Sequence, residues 1–114
     1  MQDEIVLVYT TWPNAETAEQ FAAEAVAERL CACANVGAAI RSVYHWEGAV
    51  ERAVETPVLF KTTAARAEAL RDLILTRHPY DTPAVVASRV TIDGSNPAFL
   101  DWICAETARP AAET

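Results

Sequence analysis

Ile5, Val6, Leu7, Val8 and Tyr9 form an unbroken apolar run rich in β-branched side chains, the pattern of a strand covered on both faces. Thr11-Trp12-Pro13-Asn14 follows as a turn, with Asn14 the N-cap of a helix whose Glu16 and Glu19 complement its positive end. Ala18, Phe21, Ala22, Ala25, Val26 and Leu30 then recur at helical spacing, while Glu24, Glu28 and Arg29 lie off that face. From Ala34 to Trp46 the chain reads as extended, with an irregularity at Gly37 and Ala38. Glu47-Gly48-Ala49 turns it, and it returns from Val50 to Thr62, ending in the run Val58-Leu59-Phe60. These two segments predict a long hairpin. Thr63 caps a second helix with the apolar face Ala67, Leu70, Leu73 and Ile74, which ends near Arg77 because Pro79 drives His78 out of the α region. Pro83 opens a fourth strand, Ala84 to Ile92, and Asp93-Gly94-Ser95 turns the chain. Asn96-Pro97 pairs an N-cap with proline at the first position of a last helix.

The order β-α-β-β-α-β with an added C-terminal helix is the ferredoxin-like arrangement, an α+β fold with a long hairpin between its second and third strands. Its central strands are the first and third, the two that carry continuous apolar runs here. Helices cover only one face of such a sheet, yet the first strand has no polar face. A loop, the C-terminal helix or another subunit must cover the second side. A chain of 114 residues leaves little spare backbone for that task, which favours another subunit.

That length makes one domain spanning residues 1–114, with 110–114 a frayed tail. The net charge of −7, with nine Lys and Arg scattered along the chain, excludes the basic stripe that nucleic acid requires. The acidic start Met1-Gln2-Asp3-Glu4 does not resemble a signal peptide, and no apolar run approaches a membrane span. Three cysteines, Cys31, Cys33 and Cys104, are an odd number that argues against a secreted disulfide framework. Cytoplasm is the expected location, with no nucleic-acid or membrane partner.

The chemistry-bearing side chains are few. Cys31 reads as a packing residue; Cys33, two positions on, is a packing residue or a ligand. His45 falls near the hairpin tip and reads as exposed. His78 is either a charge at a helix C-terminus or a ligand contact. Lys61 before Thr62-Thr63 either opens an anion pocket at a helix start or packs its stem and keeps its amine in water. No catalytic triad order, phosphate loop or metalloprotease motif is present, so the chain is not expected to be an enzyme.

Cys33-Ala34-Asn35, Tyr44-His45-Trp46-Glu47-Gly48, Lys61-Thr62-Thr63, His78-Pro79-Tyr80 with Pro83, and Asn96-Pro97 with Leu100 and Trp102 together resemble the divalent-cation tolerance (CutA) family, from about Ile5 to Ala105. The resemblance implies a ferredoxin-like homotrimer related to the PII signalling proteins, with a link to copper and other divalent cations. It implies that Cys33, Trp46, Glu47, Lys61 and Tyr80 bind a ligand near a cleft between subunits, with His78 as a metal ligand. Copper ligation proposed for a bacterial member uses a cysteine ending the first strand and two histidines before the Pro-Tyr pair. This chain has Tyr9 and Arg77 at two of those places and His78 at the third. The expected function is a trimeric copper or divalent-cation response protein that binds metal or a small ligand at its inter-subunit clefts. The alternatives are a PII-like scaffold or signalling protein for a partner protein or anionic metabolite, or an enzyme using Lys61, His78 or Cys33.

Overall fold

Two strands form the centre of the sheet. In the computed structural model, which describes residues 4–108, β1 (Ile5–Trp12) pairs antiparallel with β4 (Ala49–Thr63), from Ile5 opposite Thr63 to Trp12 opposite Thr56. β2 (Cys33–Val36) lies on the far side of β4, and β5 (Val85–Arg89) on the far side of β1, giving the order β2-β4-β1-β5. The first half of β4 runs on past this sheet and pairs with β3 (Ile40–Trp46). The chain is thus α+β and ferredoxin-like, with its long hairpin and its extra C-terminal helix in place. That hairpin projects: the radius of gyration is 15.2 Å, against about 13 Å for a compact chain of this length.

The extended segment after the first helix breaks at residues 37–39, as the sequence suggested at Gly37 and Ala38. Its turn is tighter than expected, because Trp46 already pairs with Ala49. Glu47 (φ 49°) and Gly48 (φ 80°) are the only loop residues, both left-handed, which is a type I′ turn. A glutamate at its first position carries backbone strain of about 1 kcal/mol. Glu47→Asn should therefore raise the unfolding free energy by about 0.5–1 kcal/mol, readable in a urea titration. An unchanged or lower midpoint would mean that the Glu47 side chain holds the turn by contacts of its own.

Helices α1 (Ala15–Ala27) and α2 (Ala64–Arg77) cover one sheet face. Asn14 caps α1 by accepting from the Thr17 N–H at 2.8 Å. Ala18, Phe21, Ala22 and Ala25 are buried against Val6, Val8, Val58 and Phe60, with Leu70 and Ile74 of α2. Val26, expected on that face, is exposed. Thr63 holds the α2 N-cap position without a side-chain cap bond. Arg77, the last residue of α2, clamps Glu24 of α1 at 3.1 and 2.8 Å and holds that carboxyl below its usual range by this hydrogen bond. Both groups lie on the surface, so the pair contributes little to stability.

Thr11 and Trp12, read from sequence as a turn, instead complete β1 opposite Pro57 and Thr56. Trp12 is wholly buried in the main core. The fourth strand is shorter than the Ala84–Ile92 expected.

Helix α3 (Pro97–Thr107) starts at Asn96, whose side chain accepts from the Ala98 N–H at 3.1 Å. It covers one end of the second sheet face, where Leu100 and Ile103 pack on Ile5 and Ala32. It has no basic residue in its own last turn. Arg29 supplies one to the Glu106 carbonyl (2.9 Å) and Arg66 one to the Thr107 carbonyl (2.8 Å), satisfying groups a helix end otherwise leaves open. The other end of this face leaves Tyr9 and Val86 exposed, so the C-terminal helix covers the second side only in part. The frayed tail expected at 110–114 lies outside the described residues.

Candidate functional site

Where the hairpin projects, it forms one wall of a cavity of about 670 Å³. The opposite wall is the loop that follows α2, with Tyr80, Asp81 and Thr82, and the end of β1 supplies Tyr9 and Thr11. Strand alternation fixes what the hairpin presents. Register places Tyr44 opposite Glu51, Ser42 opposite Ala53 and Ile40 opposite Glu55, and all six line the cavity together with Trp46. The intervening residues Arg41, Val43 and His45, with Val50, Arg52 and Val54 across from them, point to the ribbon's other face. The hairpin thus carries aromatic rings and carboxylates inward, and its basic groups with three valines outward.

Tyr80 is held by a column of rings that begins in the core. Phe60 meets Phe21 edge-on at 5.7 Å, Phe21 stacks on Trp12 at 4.9 Å, Trp12 on His78 at 4.3 Å, and His78 lies against Tyr80 at 4.7 Å. His78 is buried. Its Nδ1 accepts the Tyr80 backbone N–H at 3.1 Å, so its Nε2 carries the proton that is donated to the Thr11 carbonyl at 2.7 Å. On the other side, Tyr80 borders the same cavity as Glu55 and Tyr44 of the hairpin. Burial pushes the Tyr80 pKa up, and the nearby Glu55 carboxylate and Tyr44 push it the same way. Its contact with His78 thereby ties the loop to the core, the kind of support that keeps a site in one geometry.

Of the residues singled out from sequence, Trp46 and Tyr80 line this cavity, and Glu47 sits beside it in the exposed turn. His78 stands behind the wall. Both its nitrogens are engaged with backbone groups, which speaks against the metal-ligand role expected of it and for a supporting one. Cys33 and Lys61 are neighbours of each other, paired across β2 and β4. They lie outside its lining: Lys61 is opposite Leu7, two residues along β1 from Tyr9 at the cavity's edge, and ten residues, about 33 Å, from Glu51 on the hairpin. Glu47 and Lys61 therefore do not meet within the chain. Two of the donors considered for an anion pocket at Lys61 are engaged elsewhere. The Thr62 hydroxyl donates to the Leu30 carbonyl (2.7 Å), and the Ala64 N–H to the Glu4 carbonyl (2.8 Å). The lysine amine lies 5.4 Å from the centre of the Phe99 ring, a cation–π contact that fits a packed lysine. Cys31 is buried in the main core, where burial, then Cys33, push its thiol up to about 12. Such a thiol is inert.

Tyr44, Glu51, Glu55 and Asp81 were not singled out in the sequence. The signal for the first three was present: once Glu47-Gly48 is a two-residue turn, register puts Tyr44 and Glu51 side by side on the face of Trp46. Among the described residues no group of three or more His, Cys, Asp or Glu is placed to hold a metal ion. No helix among them is long and apolar enough to cross a membrane.

The profile of the CutA1 divalent ion tolerance protein family matches residues 6–106. The chain is 38% identical over 105 residues to the divalent-cation tolerance protein CutA of Pyrococcus horikoshii, covering 92% of this chain and 100% of that protein. Among solved structures it is similar to CutA1 of Ehrlichia chaffeensis, with a TM-score of 0.88 and 34% identity over 96% of this chain and 100% of that one. It is likewise similar to CutA1 of Oryza sativa, with a TM-score of 0.89 and 33% identity over 96% of this chain and 98% of that one.

Proposed function

The chain belongs to the CutA1 divalent ion tolerance protein family, and from that premise we propose that it is a cytoplasmic, PII-like homotrimer serving divalent-cation tolerance by binding rather than by turnover. Its ligand sites are the clefts walled by the hairpin and completed where subunits meet. The observation that carries this reading is the outward face of the hairpin. Val43, Val50 and Val54 are each about 60% exposed there, on a ribbon with no helix behind it among the described residues. A bare apolar face on a projecting ribbon calls for a partner surface, and on the opposite face, which continues the cavity lining, Tyr9 and Val86 leave a second uncovered apolar area on the main sheet.

Catalysis is the weaker reading because the three groups considered for it do not converge. His78 reaches β1 at Thr11, whose partner Pro57 lies four residues along β4 from Lys61, about 13 Å. Copper or another divalent cation fits the described residues of a single chain poorly, since such an ion needs several donors within about 2–2.6 Å. A metal site would have to draw donors from more than one subunit. Light scattering on the full chain should give three times the 12.4 kDa chain mass at micromolar concentration. A stable monomer at that concentration would overturn both the trimer and the shared clefts.

A further inference from the structure

Resting on the binding role proposed above, we propose that the hairpin cavity takes a linear aliphatic polyamine, with its ammonium groups on the carboxylates of Glu51 and Glu55 and its methylene chain along Tyr44, Trp46 and Tyr80. The cavity has the volume of a small-molecule site, about 670 Å³. Its lining contains no lysine or arginine. The hairpin has two arginines, but register sends both Arg41 and Arg52 to the opposite face, so the charge is sorted by side. Carboxylates and the faces of tyrosine and tryptophan attract the same thing, a cation with an apolar body.

The spacing decides which cation. Glu51 and Glu55 are four residues apart on one face of β4, about 13 Å, with the small side chain of Ala53 between them and Ser42 across from it. Two anionic anchors so far apart cannot close on one metal ion, whose ligands must all approach within about 2.6 Å. They can engage two charges at the ends of a flexible chain lying in a shallow trough. Asp81 on the facing wall offers a third carboxylate for a ligand with a third ammonium group. Tyr80, held against His78, borders the trough beside Glu55 with its ring.

The test is calorimetric titration of the full chain, in the assembly as purified, with spermidine as the probe. Saturable binding is expected, at least about ten-fold weaker for butylamine, which has one ammonium group, and for the double variant Glu51→Gln with Glu55→Gln. Arg52→Gln, on the outer face, should bind as the parent does. Failure to saturate, equal affinity for butylamine, or a double variant that binds like the parent would each overturn the proposal. So would copper(II) binding at the same carboxylates that spermidine fails to displace, which would make the trough a metal site. Light scattering on the same samples separates this proposal from the trimer. A trimer that ignores spermidine removes the polyamine alone, whereas a monomer that binds it removes the shared cleft and leaves the polyamine standing.

Discussion

Trp12→Ala should lower the unfolding free energy by about 3–5 kcal/mol, a large part of the roughly 5–15 kcal/mol that a domain of this size has in total. Trp12 is fully buried at the end of β1, stacked between Phe21 and His78. Its indole N–H donates to the Thr10 hydroxyl at 2.7 Å, and that hydroxyl donates to the Val58 carbonyl at 3.0 Å. Truncation opens a cavity under both neighbouring rings and removes the surface on which His78 rests. Trp12→Phe keeps a ring in the stack and loses the N–H, so about 1–2 kcal/mol is expected from it. Trp102→Ala, at a half-exposed position of α3, serves as the control and should cost less than either core truncation. Urea denaturation of the three variants measures all of this. A loss below about 1 kcal/mol for Trp12→Ala would mean that the ring column does not organise the core.

Trp12 also shows where the sequence pattern misleads. The inward side chains of β1 are Val6, Val8, Thr10 and Trp12, a clean alternation with one polar member. Thr10 and Thr11 together look like the end of an apolar run, and Pro13 strengthens that impression. Thr10 is buried because its hydroxyl is satisfied twice, a condition set by β4 some fifty residues later. The hairpin was legible because its signals are local: alternation, a glycine turn and an apolar end run. The C-terminal helix was legible from Asn96-Pro97. What it covers was not, because the extent of α3 on the second face depends on packing against Ile5 and Ala32.

The site divided along the same line. Trp46 and Tyr80 stood out through resemblance, whereas Glu51 and Glu55 needed a register fixed to the residue, since a slip by one would turn both to the outer face. Lys61 and Cys33 pair as neighbours, but alternation along β4 says only that Lys61 shares a face with Glu51. It does not bring the two together. The fold of the loop from Pro79 to Pro83 under the hairpin follows from His78 stacking on Trp12, a contact across sixty-six positions that no local pattern announces.

His78→Ala should cost about 2–4 kcal/mol of stability and weaken cavity binding without touching the ligand. The ring is buried, and its loss leaves the Thr11 carbonyl and the Tyr80 N–H without their partner while emptying the space beside Trp12. Tyr80 then loses its tie to the core, so the loop wall of the cavity loosens. His78→Asn offers a shorter side chain with both a donor and an acceptor, and it should recover part of the stability and of the spermidine affinity. A metal-ligand role makes a different forecast. In that case the alanine variant would fold as firmly as the parent in the presence of a chelator, and only copper uptake would disappear. Urea titrations of parent, alanine and asparagine variants, each with and without a chelator, separate the two. A stability loss that persists in chelator and is partly restored by asparagine identifies His78 as the support of Tyr80. A chelator-treated alanine variant as stable as the parent would return the residue to the metal.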